Sequence, residues 1–115
     1  EITGSSSNDF VRAGSGDDLV IAGAGDDLIR GGAGSDQITT GSGADTIYWT
    51  VDQLDSSSDT VTDFVIGEDK IAFESAITVS TADNVITFTA IIDGVSRSST
   101  VSLTGLESLD TNTIF

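Results

Sequence analysis

A nine-residue repeat that runs without interruption from residue 4 to residue 48 is the feature that most constrains this chain. The five units read GSSSNDFVR, AGSGDDLVI, AGAGDDLIR, GGAGSDQIT and TGSGADTIY. Position six of every unit is aspartate and position eight is valine or isoleucine, whereas the first four positions hold only glycine, alanine, serine or threonine. Internal repetition at a fixed period predicts a solenoid in which each unit stacks on its neighbours.

The pattern within each unit predicts its conformation. A single aliphatic residue at position eight, flanked by positions seven and nine, predicts a strand of about three residues with one inward side chain. The preceding positions predict a tight turn, because glycine supplies the positive φ angles that such a turn requires. Two units then form one coil, and residues two units apart stack about 4.8 Å from each other. The predicted fold class is therefore all-β.

This stacking places the position-six carboxylates in two columns, at opposite edges of the coil: Asp9, Asp27 and Asp45 in one, and Asp18 and Asp36 in the other. Two carboxylates roughly 5 Å apart repel by about 3 kcal/mol at an effective dielectric of about 20. The repeat contains only two cations, Arg12 and Arg30, both at position nine. The fold therefore needs a cation from outside the chain.

The available ligands indicate which cation this is. Glycine-rich turns expose main-chain carbonyls, and the chain has no His and no Cys, so carbonyls and carboxylates form an oxygen-only ligand set. Such a set selects hard cations, and its flexible geometry favours Ca²⁺ over Mg²⁺. The alternative, a disordered linker rich in Gly, Asp and Ser, is disfavoured because a linker has no reason to keep an aliphatic residue every ninth position.

The repeat resembles a known family. Residues 31–39, GGAGSDQIT, match the consensus Gly-Gly-x-Gly-x-Asp-x-aliphatic-x of the RTX (repeats-in-toxin) proteins at every defined position. Residues 59–73, DTVTDFVIGEDKIAF, resemble the block that closes the roll in serralysin-type metalloproteases and many RTX adhesins. The resemblance implies a right-handed parallel β-roll over residues 1–62, followed by a β-rich C-terminal cap over residues 63–115.

The resemblance also implies the calcium ligands. In such rolls each ion lies between a turn and the second turn after it, bound by both aspartates and by two carbonyls of each turn. The implied sites are Ser5, Ser7, Asp9, Ala22, Ala24 and Asp27; Gly23, Gly25, Asp27, Thr40, Ser42 and Asp45; and Gly14, Gly16, Asp18, Gly31, Ala33 and Asp36. The next carbonyl positions are Gly32, Gly34, Gly41 and Gly43, with Asp52 expected to face Asp36 and Asp59 to face Asp45. Ser5 and Ser7 replace glycines, so the first site is expected to be strained, weak or differently ligated.

The sequence after the repeat predicts the end of the roll. Residues 85–92 alternate apolar and polar side chains, Asp93-Gly94 predicts a hairpin turn, and residues 98–103 predict the partner strand. Tyr48 and Trp49 are expected to plug the open core. Four apolar residues are expected to pack against the end of the roll: Phe64, Val65, Ile71 and Phe73. A solvated turn around Gly67 is expected to contain Asp63, Glu68, Asp69 and Lys70.

Composition and missing residues exclude several functions. The net charge of −15, from 19 acidic and 4 basic residues, excludes nucleic acid and anionic membranes as natural partners. Without His, the chain can build no Ser-His or Cys-His couple and no HExxH zinc site. Asp17 and Asp26 are interpreted as solvated edge charges, since a glycosidase needs two acids facing each other across a cleft. No apolar run of transmembrane length occurs. These residues therefore predict a chain that is not an enzyme.

Two functions remain. The resemblance implies a calcium-binding module of a larger secreted or cell-surface protein, monomeric as a fragment, that folds on about three to six ions and is exported by type I secretion machinery. Residues 108–115, acidic and ending in Ile-Phe, are compatible with a C-terminal secretion signal. The alternative is a ligand- or surface-recognition module of an RTX adhesin. Position three offers no threonine ladder for an ice-binding face: it reads Ser6, Ser15, Ala24, Ala33 and Ser42.

Overall fold

The computed structural model describes residues 1–65, 68–82 and 84–104, without the side chain of Asp52. The described residues form eleven strands and one short 3-10 helix, Val51–Gln53. The strands are β1 (Ile2–Thr3), β2 (Phe10–Arg12), β3 (Leu19–Ile21), β4 (Leu28–Arg30), β5 (Gln37–Thr39), β6 (Thr46–Trp49), β7 (Ser58–Val61), β8 (Lys70–Phe73), β9 (Thr78–Ala82), β10 (Val85–Ile92) and β11 (Val95–Leu103). No helix in the described part of the chain is long and apolar enough to cross a membrane.

The nine-residue units alternate between two sheets, and within each sheet the strands of the units pair in parallel. One sheet has the order β2-β4-β6-β8, and the other has the order β1-β3-β5-β7-β11-β10-β9. Residues two units apart are register partners, as in the pair Val20 and Ile38 and the pair Val11 and Ile29. Two units therefore make one coil of a parallel β-solenoid, as the repeat predicts.

The position-eight side chains fill the space between the sheets. Val20, Ile29, Ile38 and Ile47 are fully buried, each at the centre of a strand of three or four residues. The turns between these strands carry their glycines at positive φ, as at Gly14 and at seven further glycines up to Gly43. The prediction of one inward residue per strand is confirmed for β2 to β5, whereas β6 buries both Ile47 and Trp49.

The register lengthens after the last glycine-rich turn. Ile38 pairs with Val61 and Ile47 pairs with Ile71, so stacked residues lie 23 or 24 positions apart instead of 18. The 3-10 helix and its flanking residues occupy the first insertion. β7 and β8 thus occupy the places of two further units, although the sequence before each of them lacks the four small residues that open a unit.

The C-terminal hairpin continues one of the two sheets. β10 and β11 pair along their full length around Asp93 and Gly94, both at positive φ, as the Asp-Gly pair predicts. β11 also lies parallel to β7, with Leu103 opposite Val61, and β9 pairs with β10. A boundary at residue 62 stays a prediction, since parallel pairing of the coil extends to β8 and one sheet runs through to β9.

Aromatic residues close the core at this end. Trp49 is buried and stacks on Phe88 of the hairpin, with ring centroids 4.8 Å apart and planes at 17°. Phe73 packs against Phe88 at 6.3 Å. The plug role predicted for Trp49 is confirmed, whereas Tyr48 lies only half-buried. The expectation for Val65 is wrong: its side chain is 44% exposed, because it lies in the loop outside the strands.

Candidate metal centre

Hydrogen bonds to the main chain link the position-six carboxylates into the two expected columns. In the first column, Oδ1 of Asp27 accepts from the amide of Asp9 at 2.8 Å, and Oδ1 of Asp45 accepts from the amide of Asp27 at 2.9 Å. In the second column, Oδ1 of Asp36 accepts from the amide of Asp18 at 2.8 Å. Each carboxylate is therefore fixed by the turn that precedes it by 18 residues.

Both columns continue into the sequence beyond the repeat. Asp59 Oδ1 accepts from the amide of Asp36 at 2.7 Å, and Asp69 Oδ1 accepts from the amide of Asp45 at 3.0 Å. The expectation that Asp59 faces Asp45 is therefore wrong, because β7 joins the sheet of β5 and not that of β6. The expectation that Asp69 is solvated is also wrong, since it is fully buried.

The sequence does contain a signal for these two residues. Asp59-Thr60-Val61 and Asp69-Lys70-Ile71 repeat the Asp-x-aliphatic core of the nine-residue unit. Their strands pair in register with those of the last two units. The missing glycine turns conceal the repeat from a search with period nine, while the three-residue core still identifies it.

The second oxygen of each central carboxylate lacks a partner. Oδ2 of Asp18, Asp27, Asp36 and Asp45 is buried and forms no hydrogen bond with any described residue. Buried polar atoms are almost always satisfied in native proteins, and a buried charge without a partner is costly. Four orphaned oxygens at equivalent positions indicate that the columns are built to hold cations.

Burial, which leaves these carboxylate oxygens without partners, also raises the pKa values of several carboxyl groups in the two columns. Burial raises the pKa of Asp36 and of Asp45 to about 6, against the lowering effect of their hydrogen bonds from main-chain amides, and neighbouring carboxylates raise both further. Burial likewise raises the pKa of Asp59 to about 7 and raises the pKa of Asp69. The charges identified around Asp36 and Asp45 are all carboxylates, so a cation would relieve this repulsion.

Main-chain carbonyls approach the same columns because the turns contain glycine. A Cβ atom on Gly32 would collide with the carbonyl oxygen of Gly14, and one on Gly41 would collide with that of Gly23. At Gly4, a Cβ atom would meet both the carbonyl oxygen of Ala22 and a carboxylate oxygen of its own turn. Glycine is therefore required here to let one turn approach the next.

Several predicted carbonyl ligands accept hydrogen bonds in this structure. The carbonyl of Ser5 accepts from Ala24 at 3.2 Å, that of Gly23 accepts from Ser42 at 3.1 Å, and that of Ser42 accepts from Gly25 at 3.0 Å. Carbonyl oxygens have two lone pairs, so these bonds leave one free. At the opposite edge, no such bond joins the turns of Gly14 and Ala33 within the described residues.

The first turn differs from the others. Asp9 accepts from the Ser5 amide at 2.6 Å and from the Ser5 hydroxyl at 3.0 Å, so its carboxylate has partners within its own turn. The expectation of a differently ligated first site stays a prediction, and this contact supports it.

The aspartates at position five of the repeat form a second set of hydrogen bonds between turns, outside the position-six columns. Asp17 and Asp26 are exposed, as predicted, yet Asp17 accepts from the amide of Ser35 at 2.8 Å and Asp26 accepts from that of Ala44 at 2.9 Å. These bonds join turns two units apart. The two residues are therefore structural acceptors and not only solvated charges.

Two further carboxylates, for which the repeat pattern gives no signal, accept hydrogen bonds from main-chain amides of the last glycine-rich turns. Asp63 accepts from the amides of Thr40 and Gly41 at 2.8 and 2.7 Å, so it is not simply a solvated residue. Asp55 accepts from the amide of Gly34 at 2.8 Å and from Ser57. Burial tends to raise the pKa of Asp55, but hydrogen bonds from Ser57 and Gly34 outweigh it and lower that pKa.

The ligand geometry fits calcium better than a carboxylate-only or nitrogen site. Nowhere in the described part of the chain do three His, Cys, Asp or Glu side chains converge. An ion in the columns must therefore take much of its coordination from carbonyls, which Ca²⁺ accepts readily with six to eight oxygen ligands. The side chain of Asp52, a predicted ligand, lies outside the described residues, and Asp59 takes the place beside Asp36 that was expected for it.

Comparison with known proteins agrees with the geometry. The model of the RTX calcium-binding nonapeptide repeat (4 copies) matches residues 1–29 and 13–47. The search of curated proteins gave no match. Among solved structures, the chain is similar to the AlgE6R3 subunit from the Azotobacter vinelandii mannuronan C5-epimerase, at 26% identity and a TM-score of 0.45, over 88% of this chain and 73% of that one. Residues 1–47, which carry the first five aspartates of the two columns, are therefore RTX calcium-binding nonapeptide repeats.

Proposed function

We propose that this RTX module is a calcium-dependent folding element of a larger secreted protein. The observation that carries the proposal is the set of four buried, unpartnered Oδ2 atoms, one on each central carboxylate of the two columns. Calcium bound between the turns supplies the positive charge that these oxygens lack. Without it, the stacked carboxylates within each column repel one another and the coil is destabilised.

The columns define where the ions would lie. The first column offers the gaps Asp9/Asp27, Asp27/Asp45 and Asp45/Asp69, and the second offers Asp18/Asp36 and Asp36/Asp59. Each gap would be completed by the carbonyls of the adjoining turns. The predicted range of three to six ions includes this number of gaps.

Coupling between binding and folding gives the module its role in export. At cytosolic calcium the chain would stay unfolded, able to pass through a type I secretion channel. At extracellular concentrations of about 10⁻³ M, weak sites are filled, and every ion that binds only the folded state adds to its stability. The proposed partners are calcium ions and the type I secretion machinery. The proposed secretion signal, residues 108–115, lies outside the described residues.

Recognition within a surface adhesin is the second candidate, and one observation favours it. The outward positions of β10 and β11 include Thr87, Thr89, Ser98 and Thr100, which leave an uncharged hydroxyl-bearing surface on a chain of net charge −15. Retention of the calcium-loaded chain on an insoluble neutral polysaccharide would favour this role. In either role the module itself carries no catalysis.

The leading proposal is tested by far-ultraviolet circular dichroism of the metal-free chain titrated with Ca²⁺ and, separately, with Mg²⁺. We expect a cooperative transition from coil to β-structure with Ca²⁺ alone. The Asp27→Ala variant should need more calcium than the Asp17→Ala variant, because Asp27 adjoins two gaps and Asp17 adjoins none. A metal-free chain that is already fully folded and indifferent to both ions would refute the proposal.

A further inference from the structure

A cavity of about 220 Å³ lies on the turns of the second column, on a side that no described carboxylate lines, although Gly14 and Ala33 are also predicted to offer carbonyls to the ion between these turns. Its walls are Arg12 and Arg30, the turns at 14–15 and 32–33, and Gln53 of the 3-10 helix. The carboxylates of Asp18 and Asp36 border a different hollow, together with Ser58 and Thr60. The stacked turns of the second column therefore border two separate hollows, one lined by carboxylates and the other by arginines. We call the latter cavity the arginine pocket.

The pocket concentrates positive charge on a strongly acidic chain. Two of the four basic residues, Arg12 and Arg30, are register partners on neighbouring strands, so their backbones lie about 4.8 Å apart. No Asp or Glu is among the described residues that line the cavity. Arg12 is exposed, and its side chain forms no hydrogen bond or ion pair with any described residue. Like charges on neighbouring strands repel each other, and an anion bound beside them would offset that repulsion.

Gln53 adds a buried donor to the same wall. Its Oε1 accepts from the amide of Thr50 at 2.8 Å and from Nε of Arg30 at 3.4 Å. Both partners are obligate donors, so the amide orientation is fixed and Nε2 must be the other terminal atom. Gln53 is only 3% exposed, and its Nε2 forms no hydrogen bond with any described residue. A buried N–H group in this state requires an acceptor.

We propose that the arginine pocket binds a carboxylate-type oxyanion, held by the guanidinium of Arg12 and by Nε2 of Gln53. Arginine presents a planar fork of donors that matches a carboxylate, and such charge-assisted bonds are the strongest of their kind. The volume lies below the range of about 300–1,000 Å³ typical of sites for drug-sized ligands, so the pocket fits one small acid group. That group is carried by a free small carboxylate or by a sugar acid. The inference requires only a folded chain and goes beyond calcium binding.

The test is a nuclear magnetic resonance titration of the calcium-loaded full chain with acetate at constant ionic strength. We expect saturable shifts of the Nε2–H₂ signals of Gln53 and the Nε–H signal of Arg12. Arg12→Gln should raise the Kd about tenfold or more, the loss expected for a charge-assisted bond. Arg97→Gln removes the same charge from an exposed position on β11 and should leave the Kd unchanged.

A second variant addresses the buried donor. Gln53→Glu keeps an acceptor for Thr50 and Arg30 but replaces the donor Nε2 by an oxygen, so it should abolish the acetate-induced shift of the Arg12 Nε–H signal while the circular dichroism spectrum is retained. Glucuronate and its short oligomers distinguish the source of the acid group: tighter binding than acetate indicates a sugar acid, and equal binding indicates a free carboxylate. The proposal is overturned if no saturable shift occurs, or if Arg12→Gln binds like Arg97→Gln.

Discussion

At the scale of single residues, the module depends on carboxylates that use their two oxygens differently. Oδ1 holds the amide of an earlier turn, and Oδ2 is left for an ion. The most informative case is Asp69, because it joins the column without belonging to a glycine-rich unit. Its Oδ1 accepts from Asp45 and its Oδ2 accepts from Val65 at 2.8 Å.

Asp69→Asn should therefore weaken calcium-induced folding. The NH₂ group of the asparagine would face one of the two main-chain donors that Asp69 now accepts from, and the negative charge beside Asp45 would be lost. Together these changes should destabilise the folded state by about 1–3 kcal/mol. We expect the calcium concentration at the folding midpoint to rise about tenfold or more. Glu68→Gln removes a charge from the exposed neighbouring residue and is the matched control. Equal midpoints for the two variants would contradict the assignment of Asp69 to the column.

A comparison of two glycines distinguishes the cost of a steric collision with a neighbouring turn from the cost of a positive φ angle. Gly41 and Gly14 have nearly equal φ angles, 93° and 90°, but only at Gly41 would a Cβ atom collide with a neighbouring carbonyl. Both alanine variants should lose about 1–2 kcal/mol from the positive φ. Gly41→Ala should lose about 1–3 kcal/mol more from the forced displacement. Urea denaturation in saturating calcium measures both, and an equal loss would show that close approach contributes nothing.

At the scale of elements, the repeat specifies its strands and the hairpin specifies its own turn, because both signals are local. Three-residue strands centred on Val20, Ile29 and Ile38 and the turn at Asp93 can all be derived from the sequence alone. The partners of β7 and β11 cannot, since they depend on how many residues an insertion holds and where its strand returns. Asp59 lies beside Asp36, and not beside Asp45 as predicted from the sequence, because of this long-range pairing.

Packing between elements makes the hairpin part of the roll. Phe88 of β10 is fully buried against Trp49 of β6. Phe88→Ala should reduce the free energy of unfolding by about 3–5 kcal/mol. Phe10→Ala is the control, because Phe10 is 60% exposed and its loss should cost about 0.5 kcal/mol or less. Denaturation in calcium, followed by circular dichroism, compares them. A small effect at Phe88 would mean that the roll is stable without the hairpin.

At the scale of the whole molecule, acidity and calcium should act as alternative sources of stability. The pKa values of Asp36, Asp45 and Asp59 lie near 6 to 7 in the folded chain and near 3.9 when unfolded. Between about pH 4 and pH 7 the folded chain therefore binds more protons than the unfolded chain. Its free energy of unfolding, without metal, must fall as pH rises through this window.

We therefore expect the metal-free chain to be more stable at pH 5 than at pH 8, and the difference to disappear in saturating calcium. Repulsion among the other charges of a chain with net charge −15 would also lower its stability as pH rises. Sodium chloride at about 0.5 M separates the two, because salt screens exposed charges and leaves the cost of burying a carboxylate. The measurement is the folded fraction of the metal-free chain at the two pH values, followed by far-ultraviolet circular dichroism, because this chain is expected to be largely unfolded near neutral pH. A metal-free stability that is flat or rises with pH would contradict the burial of these groups.

The hydrogen bonds along the two columns all point in one direction. The amide of each turn is received by a carboxylate that comes later in the sequence, as Asp9 is by Asp27 and Asp45 is by Asp69. Within the columns, a position-six amide is thus bound from the C-terminal side, whereas the position-five bonds of Asp17 and Asp26 run the other way. We therefore expect that a unit can be inserted or deleted upstream of Asp59 and Asp69 at a smaller cost in stability than across them. The number of repeats would then be free to vary as long as the closing segment is kept.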